Sequence, residues 1–254
     1  MAKKFNLNKL HNNTNAKQYE ARLDLQKLFN ERPFDDNLLL TNFGLFIRSS
    51  ALAKIFFLHE IYTKITNIPG DIFIFGVWLG QDIIALESIR AMIEPYNCSR
   101  SIIGFDTFNG YDDITVNDKK SDVINTSGYD VPDGYEIYLS KLIDYHKKEN
   151  FMGEKLTHDL VKGNVINTLP KYLDIHPETI IALAYFDMAI YKPTSIALKA
   201  ISPRLVKGSV VVFDELNDKR YPGETKAFRE WIESSNYKIS RSKILPDRTI
   251  VEIC

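Results

Sequence analysis

The sequence predicts an α/β fold: a mostly parallel, doubly wound sheet with helices on both faces, an N-terminal helical extension and a C-terminal antiparallel hairpin. Three observations carry that reading. Short apolar runs alternate with longer amphipathic stretches, the pattern of successive β–α–β units. The first run, Ile72–Phe75, meets Gly76, and after Gly80 comes a helical stretch over 81–93; strand, glycine turn and helix form the corner that opens a nucleotide-binding sheet. Four runs end in Gly76, Asp106, Asn164 and Asp187, and a fifth ends in Asp214-Glu215. Ligands of such sheets sit beyond the carboxyl ends of the strands. Carboxylates crowded at that rim repel one another unless they hold something.

Taken in order, residues 1–16 are an Asn- and Lys-rich lead-in, and 17–30 carry Leu23, Leu25, Leu28 and Phe29 among charges, as an amphipathic helix does. Arg32-Pro-Phe-Asp-Asp36 breaks it, and 38–46 are too apolar for a free loop. Ser49 and Ser50 are placed to cap a helix over 51–66, whose Leu52, Ile55, Phe56, Phe57 and Ile61 predict burial against the sheet. Residues 1–66 are thus expected to form an extension packing on the sheet domain 67–254. Further strands are expected at 101–105, 160–165, 180–186 and 209–213, with helices at 135–148, from 168, at 193–201 and at 224–233. Strands 238–242 and 249–253 make the hairpin. The polar stretch 111–134 lacks a periodic pattern and reads as a lid-like loop.

Composition narrows the classes. Hydrophobic residues make up 44% and charged residues 26% of 254, ordinary for a globular protein. A formal net charge of -1 gives no electrostatic case for nucleic acid or an anionic membrane. Two cysteines supply neither a disulfide framework nor a metal cluster and suit a reducing compartment. The N-terminus has no apolar h-region, and the clusters 55–58 and 180–186 are too short to span a bilayer. A cytoplasmic protein without a membrane span is expected.

Asp106, ending the second strand, is placed to accept hydrogen bonds from ribose hydroxyls, whether of a nicotinamide dinucleotide or of S-adenosylmethionine. The first turn separates the two. Gly76-Val-Trp-Leu-Gly80 lacks the G-x-G-x-x-G that a pyrophosphate wants, which favours S-adenosylmethionine. A nicotinamide-dependent oxidoreductase is the alternative on the same fold. Asp187, Asp214 and Glu215 are hard oxygen donors suited to magnesium or calcium; the plainer reading of these carboxylates is helix capping. The histidines share no ligand spacing. His59 reads as a core residue, while His146 and His158 flank the long loop and are candidate bases. Arg48 could meet a cofactor carboxylate, and Tyr111, Tyr129, Tyr135 and Tyr138 could stack on a sugar.

Gly70-Asp-Ile-Phe-Ile-Phe-Gly-Val-Trp-Leu-Gly80, Gly104-Phe-Asp-Thr-Phe-Asn-Gly110, Thr168-Leu-Pro170, Phe186-Asp187, Gly208-Ser-Val-Val-Val-Phe-Asp-Glu215 and Pro222-Gly-Glu-Thr-Lys-Ala227 occur in this order. From about Asn42 to the C-terminus the chain resembles the macrocin O-methyltransferase (TylF-type) family of class I S-adenosylmethionine-dependent methyltransferases, with their Rossmann-like fold. The resemblance implies methylation of a sugar hydroxyl in a surface polysaccharide, nucleotide-sugar or glycosylated natural product, commonly with Mg2+ and in a homo-oligomer. It places Gly76, Val77, Trp78, Gly80 and Gln81 along the cofactor's methionine part. Asp106 falls on the ribose, with Thr107 and Phe108 beside the adenosine, and Gly163, Asn164 and Val165 at the adenine edge. Asp187, Asp214 and Glu215 fall on the metal and catalytic positions, Asp187 also bordering the cofactor. Two departures stand out. Ile74 replaces a glutamate usual in the opening strand, and Asp187-Met-Ala189 lacks the second carboxylate of the family's Asp-x-Asp. A non-catalytic, methyltransferase-like subunit is the reading those departures motivate.

Overall fold

The computed structural model describes residues 15–118, 129–233 and 236–254. Among them, seven strands form one sheet: β1 (Asp71–Phe75), β2 (Ile102–Asp106), β3 (Asp159–Lys162), β4 (Ile181–Phe186), β5 (Leu205–Phe213), β6 (Tyr237–Arg241) and β7 (Thr249–Ile253). Their order is β3-β2-β1-β4-β5-β7-β6. The first five run parallel, and β7 is antiparallel to both β5 and β6. Strand order reverses between β1 and β4, which opens a crevice at their carboxyl ends.

The helices are α1 (Ala16–Asn30), α2 (Asp36–Thr41), α3 (Ser49–Ile65), α4 (Gln81–Ile93), α5 (Tyr135–Glu149), α6 (Val165–Ile175), α7 (Tyr191–Ile201) and α8 (Pro222–Ile232). The central strands read as unbroken apolar runs because both faces are covered. Ile72, Ile74, Leu183, Tyr185, Val210 and Val212 pack with the buried faces of α3, α4 and α5. Phe73, Phe75, Phe105, Phe186 and Phe213 fill the other face under α6, α7 and α8. There Phe75 stacks on Phe186 with centroids 4.6 Å apart, and Phe186 on Phe213 at 5.3 Å.

Several boundaries move for identifiable reasons. β5 begins at Leu205 rather than 209. Gly208, at φ 90°, lets the strand bulge, and the Ser209 hydroxyl ties the bulge together by donating to Ile181 O and accepting from Val206 N. β3 ends at Lys162, and Asn164 starts α6 by accepting from Ile166 N at 3.0 Å. Ser49 and Ser50 lie inside α3 instead of capping it, and Arg48 holds the cap position with no side-chain cap bond.

The extension is only partly buried. α3 buries Phe57, Leu58, Ile61, Tyr62 and Ile65, whereas Leu52 and Phe56 on its other side are exposed. α1 buries no residue and α2 only Leu39, leaving Leu28, Leu38, Leu40, Phe43 and Leu45 open. The tip of the 111–134 stretch, 119–128, lies outside the described residues. Its leading arm is strapped to the body: Asp118 accepts from Tyr191 N at 2.7 Å, and Asp113 meets Lys192 at 2.6 Å. No helix of the described residues is long and apolar enough to cross a membrane.

Candidate active site

The sequence builds the crevice from turns that leave the strands abruptly. Gly76 has φ 93°, and a Cβ there would collide with the backbone carbonyl of Asp187. The rim turns also hold Trp78, Phe108 and Ala189 at φ 48°, 54° and 61°, backbone that a non-glycine residue keeps only when its surroundings impose it. Asp106 does much of the imposing. Its Oδ2 accepts from Val77 N at 2.6 Å and Trp78 N at 2.7 Å, and its Oδ1 from Phe108 N at 2.6 Å. A carboxylate has about four acceptor positions, so one remains for a ligand hydroxyl.

These turns enclose a cavity of about 300 Å³ at the switch point, a size typical of small-molecule sites. Gly76, Val77, Trp78 and Gln81 form one wall, and Asp106 and Thr107 the next. Gly163, Asn164 and Val165 follow, and Asp187, Asp214 and Glu215 close the floor. Gly80 and Phe108 do not line it. Gly80, at φ 81°, starts α4 where any side chain would strike Leu139 of α5, and Phe108 is buried in the core. Asn164 is already engaged, capping α6 and donating to Asp113 at 2.7 Å.

One ligand atom from each of Asp187, Asp214 and Glu215 lies within 4.8 Å of the others. None caps a helix: Ile190 and Tyr221 hold those positions for α7 and α8. Two oxygens bound to one ion at 2.1–2.4 Å can be no farther apart than about 4–5 Å, so the spacing fits a divalent cation. Glu215 Oε2 is buried with no hydrogen-bond partner, which a cation would supply. Burial, then the neighbouring Asp187, pushes Asp214 up to about 6. Burial together with Asp187, Glu224 and Asp214 pushes Glu215 up to about 10.

The floor also holds residues that reading strand ends did not find. Tyr185 OH donates to Asp214 at 2.8 Å and accepts from Lys54 Nζ at 3.0 Å. Lys54, from α3, lies 3.0 Å from Asp82 and 3.7 Å from Asp187. Burial alone would depress its ammonium, but Asp82, Asp187 and Asp214 outweigh burial and raise it. Arg248, ahead of β7, pairs with Asp214, and buried Glu224 accepts from Glu215 N at 2.8 Å. In β4, buried along its whole length, Tyr185 is the one side chain with a polar tip, which could have singled it out; nothing local marks Lys54 or Arg248.

The other candidates separate cleanly. Tyr111 and Tyr129 line the cavity, with ring centroids 5.5 Å apart. Tyr135 and Tyr138 instead face each other on α5. His158 is buried in the scaffold, its Nε2 2.6 Å from Glu87 and its Nδ1 accepting from Ile102 N. His59, His146 and Arg48 are off the cavity wall, and His11 lies outside the described residues.

Residues 53–239 match the family model for macrocin O-methyltransferase (TylF). The chain belongs to this family. It is therefore a methyltransferase of the S-adenosylmethionine-dependent class. A search of curated protein sequences gives no match. Among solved structures, the calicheamicin methyltransferase CalS11 shares 34% identity over 96% of this chain and 94% of its own, with a TM-score of 0.87. Apo CalS11, described as a TDP-rhamnose 3'-O-methyltransferase, shares 32% over 97% and 98%, with a TM-score of 0.80. The O-methyltransferase NovP, 18% identical over 79% of each chain with a TM-score of 0.60, shares the fold.

Proposed function

We propose that this TylF-family protein moves a methyl group from S-adenosylmethionine to a sugar hydroxyl, with Mg2+ held by Asp187, Asp214 and Glu215. The observation that carries the reading is the meeting of those three carboxylates on the floor of the switch-point cavity. Relatedness to a protein described as acting on TDP-rhamnose supports a sugar carried on a nucleotide or natural product. The donor supplies a methyl on a positively charged sulfur, and the cation a Lewis acid that lowers the acceptor hydroxyl's pKa. This chain's residues do the rest. Asp106 accepts a ribose hydroxyl, and the Gly76–Trp78 turn exposes bare backbone to the donor. Tyr111 and Tyr129 offer rings to the sugar. Glu215, beside them, completes the cation's ligand set, or takes the hydroxyl proton instead if it is not a ligand; the new C–O bond forms as the S–C bond breaks, releasing S-adenosylhomocysteine.

Asp214→Ala tests the division of labour. Turnover with a TDP-deoxysugar acceptor should vanish, while calorimetry still shows S-adenosylhomocysteine binding. Loss of cofactor binding with metal dependence intact contradicts the assignment. Methyl transfer by the native protein to any glycan acceptor removes the reading of a non-catalytic subunit. Two further parts belong to this proposal: a homo-oligomer, supported by the apolar surface of α1 and α2, and a reducing cytoplasm, supported by the unpaired Cys98 and Cys254.

A further inference from the structure

We infer that Lys54 and Asp82 form the subsite that reads the α-amino-acid zwitterion of the methyl donor, an assignment that rests on the donor proposed above. Both line the cavity, as Gly76 does. Their charges are opposite and their polar atoms 3.0 Å apart, which matches an ammonium and a carboxylate carried on one carbon.

Each partner keeps capacity for a ligand. The Lys54 ammonium has three donors; two go to Asp82 and Tyr185 OH, and Asp187, at 3.7 Å, is too far to take the third in a hydrogen bond. Asp82 accepts from Lys54 and has acceptor positions left for an ammonium. A second feature supports the carboxylate side. α4 starts at Gln81 with Gly80 at its cap and no side-chain cap bond, so its first amides remain open beside Lys54. The same lysine repels a divalent cation from Asp82. The acidic rim thus divides, with the cation at Asp187, Asp214 and Glu215 and the zwitterion at Lys54 and Asp82.

Calorimetry with three ligands tests this. S-Adenosylhomocysteine carries the amino acid, 5'-methylthioadenosine lacks it, and decarboxylated S-adenosylmethionine keeps the ammonium but lacks the carboxylate. Native protein should bind S-adenosylhomocysteine at least tenfold more tightly than methylthioadenosine. Lys54→Met should erase at least tenfold of that difference while methylthioadenosine affinity stays within twofold, and Asp82→Asn should do the same. Equal weakening of both ligands by Lys54→Met overturns the assignment in favour of a packing role, and so does no weakening of either. Should Lys54→Met fail to fold, native protein decides alone: at least tenfold preference for S-adenosylmethionine over its decarboxylated form is expected, and equal affinity overturns the inference. Native protein that binds none of the three ligands sinks the donor reading itself, a result distinct from equal binding of all three.

Discussion

Glu87→Gln should destabilise the protein by about 3 kcal/mol without touching the chemistry. Glu87, Arg90 and the His158 side chain are essentially inaccessible. Arg90 donates to Glu87 at 2.9 and 3.0 Å, Asn150 at 2.7 Å, and His158 Nε2 lies at 2.6 Å. Burial would raise the Glu87 carboxyl, but the bonds from His158 and Arg90 outweigh it and hold it at about 2 against an ordinary 4.5. At about 1.4 kcal/mol per pH unit that preference is worth about 3 kcal/mol. Removing one partner of a buried ion pair independently costs about 3–5 kcal/mol. For a chain of this size the melting temperature should fall by about 6–12 °C at pH 7. The sign follows from a depressed carboxyl: the stabilisation is complete above pH 4.5 and drains away as pH falls toward 2. The gap between native protein and variant, read from urea unfolding, should therefore shrink by about 1–2 kcal/mol between pH 7 and pH 3.5. A pH-independent gap, or one below about 1 kcal/mol at pH 7, refutes the linkage. Loss of methyl transfer at an unchanged melting temperature would instead return His158 to the chemistry.

Gly76→Ala should lower stability by about 2–5 kcal/mol, combining left-handed strain with the collision against Asp187 O, and should abolish S-adenosylhomocysteine binding; a normal binding isotherm refutes it. Glu215→Gln should lower kcat about 10²–10³-fold while S-adenosylhomocysteine affinity stays within twofold, and an unchanged kcat excludes Glu215 from proton transfer. Leu40→Glu with Leu45→Glu should convert the protein to monomers by light scattering. The native protein running as a monomer removes that proposal outright.

The fold was legible because its core strands are buried on both faces. Ile72–Phe75 and Ile181–Phe186 have nowhere to place a polar residue, so their apolar runs mark both the strands and the points where polar residues resume. That is also why Gly76, Asp106, Asp187 and Asp214 stood out as a rim. An apolar run that stops marks only the residues at its own end. Lys54 comes from the middle of α3 and Arg248 from the approach to β7, both brought in by tertiary packing. Gly80 and Phe108 sit beside cavity residues in sequence, and their own constraints are helix packing and core burial. Ser49 and Ser50 had the right chemistry for caps, but the helix extends past them to Arg48. Local rules order the chain; they do not say which side of a turn faces the ligand.

The floor of the cavity shows why those distant cations are needed. Asp82, Asp214 and Glu224 are buried, with Asp187 and Glu215 half-buried beside them, and mutual repulsion would drive the turns apart or fill them with protons. Lys54 answers Asp82 and Asp187, and Arg248 answers Asp214, donating also to its backbone carbonyl at 3.1 Å. Glu215 and Glu224 receive no such partner, and each keeps a buried oxygen without a hydrogen bond. Glu224 holds the Glu215 amide, and Glu215 in turn raises the hydroxyls of Tyr111, Tyr129 and Tyr221 near it. An arrangement meant only to hold the sheet together would spread its cations evenly over the carboxylates. The proposed function accounts for the asymmetry: a cation and an acceptor hydroxyl would be received at the carboxyls left without a partner.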